Sequence, residues 1–185
     1  MKGAGLMSNQ NKTSGSSTIS TKKLALAAIF TAVAVVGSLF SIPVLGSRCS
    51  PVQHLVNILC AVFLGPWYGL AAAFLASLIR NFLGLGTLLA FPGSMCGALL
   101  AGLAYKFIKK LPAAWIGELF GTSVIGGLLA YPISALILGN STVAFYAYVV
   151  PFLISSGGGT IIAAVVTLAL KKIGFISKAK ESLEG

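Results

Sequence analysis

The chain is short of charge, and shortest of acid. Only three of its 185 residues are acidic, Glu118, Glu181 and Glu184, and there is no aspartate. Glu181 and Glu184 lie in the C-terminal tail, so no second acid is placed to pair with Glu118 in general acid–base work. No G-x-x-x-x-G-K-[ST] loop occurs, so the chain cannot bind and hydrolyse ATP in the usual way. Histidine occurs once, at His54, and the three cysteines, Cys49, Cys60 and Cys96, form no CxxC pair. Neither a metal cluster nor a disulfide framework follows, and no cofactor is implied. Charged residues make up 9% of the chain, where a soluble domain carries about a quarter.

What fills the chain instead is apolar. Hydrophobic residues account for 57%, in runs long enough to cross a bilayer. The expectation is an all-α integral membrane protein of the cell membrane, multi-pass, with one compact bundle. Residues 1–21, "MKGAGLMSNQNKTSGSSTIST", are polar and rich in Ser, Asn and Gly, and read as a disordered cytoplasmic tail. The apolar run from Leu24 is too long for a signal-peptide core and lacks a clear cleavage site. The membrane domain spans 22–172, and 173–185 reads as a cytoplasmic C-terminal tail.

Prolines punctuate the apolar runs. Pro51, Pro66, Pro92, Pro112 and Pro151 each stand at the front of one. Proline suits the first turn of a helix, where its missing N–H would be unpaired anyway. Six helices are therefore expected, at about 24–42, 51–64, 66–83, 91–108, 112–138 and 150–170. The second would be only about 21 Å long, short for a hydrocarbon core about 30 Å thick. It either crosses incompletely or keeps its ends inside the protein. Pro132 lies deep in the fifth and should kink it, freeing a carbonyl beside a cavity.

Basic residues orient the bundle. The net charge of +10 at first suggests nucleic acid. With the N-terminus inside, however, six crossings place every lysine in the cytoplasm and leave only Arg48 and Arg80 in the outer half. The charge then serves orientation against anionic lipid, and nucleic acid is not a partner.

The outer half carries the polar side chains. Gln53, His54 and Asn57 share one face of the second helix. Ser77, Arg80, Asn81 and Gly84 form a similar stripe on the third. Arg80 lies within the outer third of the hydrocarbon, where an arginine costs a few kcal/mol unless it faces water or a partner. Ser155 and Ser156 precede a triple glycine at 157–159. Asn140, Tyr146 and Tyr148 lie in the loop before them, and Tyr131 and Ser134 flank Pro132. Such groups suit a small flat polar heterocycle, bound by stacking and a few directed hydrogen bonds. Tyr146 and Tyr148 would equally suit an interfacial aromatic belt, and Gln53, His54 and Asn57 a satisfied interhelical network. Ser94 in "FPGSMCG" with His54 is the one combination that admits an intramembrane enzyme. Glu118 is placed near the inner surface, snorkelling towards Lys109 or Lys110 or meeting a partner subunit. Ala28 and Ala32, Gly93 and Gly97, and Ala98 and Gly102 form small-xxx-small stripes for close packing or, on the first helix, docking.

With six short helices in under 190 residues, a lysine-flanked "KKLALAAIFTAVAVV" and no energising motif, the chain resembles the substrate-binding S component of an energy-coupling factor (ECF) transporter. More narrowly, "SRCSPVQHLVNILCAVFLGPWYGLAAAFLASLIRNFLGLGTLLAFPGSMCGALLAG" resembles the ThiW family, associated with salvage of the thiazole precursor of thiamine. The general resemblance covers 22–172 and the specific one 47–102. It implies a binding subunit that captures a vitamin precursor from outside and topples to release it. Its partners would be a transmembrane coupling protein and two cytoplasmic ATPases. It further implies that Ala28 and Ala32 contact the coupling protein. The site would lie under the loop at Arg48, near Ser94, Tyr131, Tyr148 and Ser155. Hydroxyethylthiazole is neutral, yet the outer half holds two arginines and no acid. Either the arginines hold the gate loop through backbone carbonyls, or the ligand carries a negative group such as phosphate or carboxylate.

Overall fold

The structure is a computed structural model and describes residues 20–44, 47–140 and 142–184. Its helices are α1 (Thr21–Gly37), α2 (Pro51–Phe63), α3 (Pro66–Phe82), α4 (Ala90–Ile108), α5 (Leu111–Leu136), α6 (Val149–Lys172) and α7 (Phe175–Glu184). The expected tail at 1–21 falls largely outside the described residues, and Thr21 already belongs to α1.

The prolines act as anticipated, because the first-turn N–H groups of a helix have no internal partner. Pro51 and Pro66 open α2 and α3, and Pro112 is the second residue of α5. Pro92 and Pro151 each sit in the first turn, two residues inside α4 and α6.

The class is all-α apart from one small hairpin, but the described helices number seven rather than six. The first expected helix does not run to 42. It ends at Gly37, and a short 3-10 turn, Ser38–Phe40, leads into strand β1 (Ile42–Val44). Pro43 disfavours helical backbone at the residue before it, which leaves Ile42 extended. Strand β1 pairs antiparallel with β2 (Ser47–Cys49), placing Pro43 opposite Arg48. The stretch expected as a gate loop at Arg48 is thus a hairpin. The C-terminal segment also carries a helix, α7. Its Phe175 ring meets Phe63 of α2 edge-on at 6.2 Å, and its Ile176 is buried in the main core.

Helix α2 is the central post, packed against α1, α3, α4, α5 and α6. At 13 residues it is about 20 Å long, and Phe63 and Leu64 at its C-terminal end are buried. Among the described residues, four elements are long and apolar enough to cross a bilayer: Thr21–Phe40, Ala90–Ile108, Leu111–Leu136 and Val149–Lys172. Their outward faces carry large apolar side chains such as Ile29, Val33, Leu129, Ile161 and Val165. Each would be an unusual exposure in water and an ordinary one against lipid.

Helix α5 deviates from regular α geometry ahead of Pro132. A π-helical stretch covers Gly121–Gly126, and α-helix resumes from Gly127 through Pro132 to Leu136. The irregular stretch is where α5 lies against α4. A Cβ on Gly121 would fall 2.6 Å from the Cys96 carbonyl oxygen, so only glycine allows this approach. The small residues of α4 serve the same internal packing. Gly97 faces Glu118 and Thr122, and Gly102 faces Pro66.

Both described chain ends lie at one end of the bundle, where Lys22 Nζ donates to the Ser182 carbonyl at 2.8 Å. Every lysine among the described residues belongs to helix ends, to turns or to α7 on that side. Arg48 and Arg80 lie at the opposite end, with the hairpin.

Candidate functional site

Below the hairpin, polar side chains from five helices form one connected hydrogen-bond network. Period and spacing place Gln53, His54 and Asn57 on one face of α2, and all three are buried. Gln53 Nε2 donates to Asn57 Oδ1 at 3.1 Å, and Gln53 Oε1 accepts from Arg80 Nη1 of α3 at 3.2 Å. Asn57 Nδ2 reaches both the Ser94 carbonyl of α4, at 3.1 Å, and Glu118 Oε1 of α5, at 3.0 Å. His54 Nδ1 lies 2.8 Å from the same Glu118 oxygen. A carboxylate can only accept, so Nδ1–H is the donor and Nε2 is left facing Ser155 Oγ of α6 at 3.0 Å. Ser155 Oγ also accepts the backbone N–H of Ser50 at 2.9 Å, which ties the network to the base of the hairpin.

Glu118 is the hub, and the sequence reading misplaced it. It does not snorkel to Lys109 or Lys110. It is 0% exposed and accepts from His54, Asn57 and, at 3.0 Å, Thr122 Oγ1. A carboxylate in hydrocarbon is tolerated only with donors around it, and the single histidine and asparagine of α2 supply them. Its second oxygen, Oε2, is buried with no hydrogen-bond partner among the described residues.

Above the network lies a narrow cleft. It is lined by Arg48 and Ser50 of the hairpin base, by Gln53 and His54 of α2, and by Arg80 of α3 and Thr87 of the following turn. Ala90, Gly93 and Ser94 of α4, Thr122 of α5, and Phe152 and Ser155 of α6 complete it. About 40 Å³ is free between these side chains, where one ordered water needs roughly 10–15 Å³.

The hairpin is held over the cleft at several points. Arg48 Nη1 donates to the Leu85 carbonyl in the α3–α4 turn at 3.3 Å, and Cys49 Sγ contacts the Pro151 carbonyl at 3.6 Å. Burial raises the Cys49 thiol above its ordinary range, more than the nearby Ser155 hydroxyl lowers it. It therefore stays protonated and can donate.

Of the residues singled out by sequence, Arg48, Gln53, His54, Arg80, Ser94 and Ser155 meet at the cleft, and Asn57 lies just beneath. Asn81 instead braces the α3–α4 turn, donating to the Ser77 and Thr87 carbonyls at 2.8 and 3.2 Å. Tyr148 is buried behind the cleft wall. Its hydroxyl pairs with Ser134 Oγ at 2.6 Å and its ring lies 6.4 Å from that of Phe152. Tyr131 is half-buried elsewhere on α5, while Asn140 and Tyr146 are exposed in the α5–α6 connection. None of these lines the cleft. Ser94 and His54 do not pair: Ser94 Oγ meets Ser77 Oγ at 2.7 Å, and His54 takes Ser155. Compared with the expected site, helices α2 and α3 contribute more and the α5–α6 connection less. Ser50, Thr87, Thr122 and Phe152 were missed. Thr122 was findable, since it stands four residues after the only acid of the apolar segments.

Ala28 and Ala32 lie together on the outward face of α1, both exposed. Among the described residues no group of His, Cys, Asp and Glu is placed to hold a metal ion.

A family model described as "Thiamine-precursor transporter protein (ThiW)" matches residues 24–173. No curated protein matches the chain.

Proposed function

Given that the chain belongs to the thiamine-precursor transporter (ThiW) family and is a multi-pass membrane protein, we propose that it is the substrate-binding S subunit of an energy-coupling factor importer. Its cargo is hydroxyethylthiazole or a close relative, captured from outside in the cleft under the β1–β2 hairpin. A transmembrane coupling protein and two cytoplasmic ATPases supply the energy, since the chain carries no nucleotide motif of its own. The lysine-bearing end faces the cytoplasm, in keeping with the positive-inside rule.

The observation that carries this reading is the network from Arg80 through Gln53, Asn57, Glu118 and His54 to Ser155 and Ser50. It orients donors and acceptors towards one cleft from rigid helices, and preorganised polar groups give a small ligand its specificity. Arg48, Gln53, His54, Arg80, Ser94 and Ser155 are the cargo-contacting residues. Asn57, Asn81 and Tyr148 hold them in place. A heterocycle needs several times the present free volume, so entry requires the hairpin to swing outward, breaking the Arg48–Leu85 and Ser50–Ser155 bonds. The exposed Ala28–Ala32 stripe is the docking face for the coupling protein, because small residues let a second helix approach closely.

Mass spectrometry of the small molecule that co-purifies with the full chain, followed by titration with hydroxyethylthiazole, tests the cargo. Failure of every thiazole to bind while another vitamin binds would remove the assignment. Replacing Ala28 and Ala32 by leucine tests the coupling: binding should persist while uptake by cells is lost.

The order Ser155–His54–Glu118 is also that of nucleophile, base and orienting acid in acyl-transfer enzymes, which favours hydrolysis as a second reading. Recovering the bound molecule with unchanged mass supports a binder. A change of mass that Ser155→Ala abolishes supports an enzyme.

A further inference from the structure

We propose that the cleft holds its cargo by an anionic group, and so selects a thiazole-like heterocycle bearing a phosphate monoester or a carboxylate over the neutral alcohol. This rests on the thiamine-precursor reading above and specifies the form of the ligand.

The cleft lining contains two guanidinium groups, Arg48 and Arg80, and no carboxylate. Glu118 lies in the layer beneath, 2.8 Å from His54 Nδ1, and neither arginine forms a salt bridge among the described residues. Arg80 is only 2% exposed. Its Nη1 donates to Gln53 Oε1, a neutral acceptor, and its buried Nε has no partner among the described residues. Ser50, also on the cleft wall, has a buried hydroxyl without a partner. Buried donors of this kind are ordinarily satisfied, and a buried cation is ordinarily neutralised. Arg48 brings a second cation to the same cleft.

The backbone adds to the same field. Helices α2, α4 and α6 all begin at the cleft, which Gln53, Ala90 and Phe152 of their first turns line. Helix N-termini carry partial positive charge and free N–H groups, which favour anions. A purely structural account covers only part of this. Arg80, in the last turn of α3, complements that helix's C-terminal carbonyls, but this requires neither burial nor an orphaned Nε. Arg48 stands on a strand and spends one long bond on the Leu85 carbonyl, leaving the rest of its fork for another acceptor. Phe152, backed by Tyr148, offers a ring face for the heterocycle beside these donors.

The test uses the full chain in lipid nanodiscs and calorimetric titration with three probes: hydroxyethylthiazole, its phosphate monoester, and the analogue with a carboxymethyl group in place of hydroxyethyl. At least one anionic probe should bind about 10–100-fold more tightly than the alcohol, the weight of charge-assisted hydrogen bonds. Arg80→Gln and Arg48→Gln should each erase most of that preference, and Arg80→Lys should retain part of it. The tighter of the two anionic probes identifies the group. If the alcohol binds as tightly as both anions, or both Gln variants weaken all three probes equally, the anion inference is overturned and the thiazole reading stands. If no thiazole binds, the cargo reading falls, and protection from thermal unfolding by inorganic phosphate decides the anion site. Protection seen in wild type and absent in Arg80→Gln upholds it; no protection in wild type overturns it.

Discussion

Replacing Glu118 by alanine tests the network at its hub. The substitution removes the acceptor of three hydrogen bonds, from His54 Nδ1 at 2.8 Å, Asn57 Nδ2 at 3.0 Å and Thr122 Oγ1 at 3.0 Å. All three donors belong to buried residues and would be left there. Side-chain hydrogen bonds inside membrane proteins are worth about 0.6 kcal/mol on average and about 1.7 at most. Three of them give a loss of about 2–5 kcal/mol, before any cost of the space vacated by the side chain. Glu118→Gln is the informative companion. It keeps a carbonyl oxygen where Oε1 stands and loses only the charge, so its cost should be about 1 kcal/mol. Reversible unfolding in mixed SDS micelles, followed by far-UV circular dichroism, reads both values. Ligand titration should show a weaker cleft in the alanine variant, because His54 loses the partner that fixes its ring. An alanine variant within about 0.5 kcal/mol of wild type would refute the reasoning. That is the result an acid snorkelling towards Lys109 and Lys110 would give.

Gly97→Ala places a Cβ 2.7 Å from Glu118 Oε2, so it should destabilise by about 1–3 kcal/mol through overpacking in the same unfolding assay. Gly157→Ala, in helix α6 with nothing within 4 Å of the added Cβ, should instead stabilise by about 0.5–1 kcal/mol. Ser155→Ala removes the acceptor of the Ser50 N–H and the partner of His54 Nε2; stopped-flow release of bound ligand should become faster, by roughly tenfold for a net loss of about 1.4 kcal/mol. Leucine at both Ala28 and Ala32, which are exposed on α1, should leave stability within about 0.5 kcal/mol and ligand binding intact while uptake is lost.

Much of the helical frame was legible because it depends on local chemistry. Pro51, Pro66 and Pro112 mark helix starts through an N–H they do not have. The end of α1 was misread because the apolar run continues past Gly37, and hydropathy does not distinguish a helix from a strand in so short a stretch. The strand pairing of Ile42–Val44 with Ser47–Cys49 supplies what the run alone could not. Glu118 was misread because depth was inferred from its distance along α5. Depth along a helix does not say which neighbour a side chain meets, and its partner His54 lies 64 positions away in sequence. Tyr146 and Tyr148 could not be told apart in the same way: composition suits both to a ligand or to a lipid interface, and the fold exposes Tyr146 and buries Tyr148.

The sequence alone determined the solvent of this protein, the starts of most of its helices, the gathering of its lysines at one end and the small set of polar residues able to form a site. Each follows from composition or from spacing within a few residues, where the physics is local. Only the tertiary structure decided how those polar groups pair. Buried in an apolar bundle, each must satisfy its hydrogen bonds with whatever group the packing presents. The packing presented His54 with Glu118 below and Ser155 beside it, and left Arg80 at the cleft with no carboxylate paired to it among the described residues.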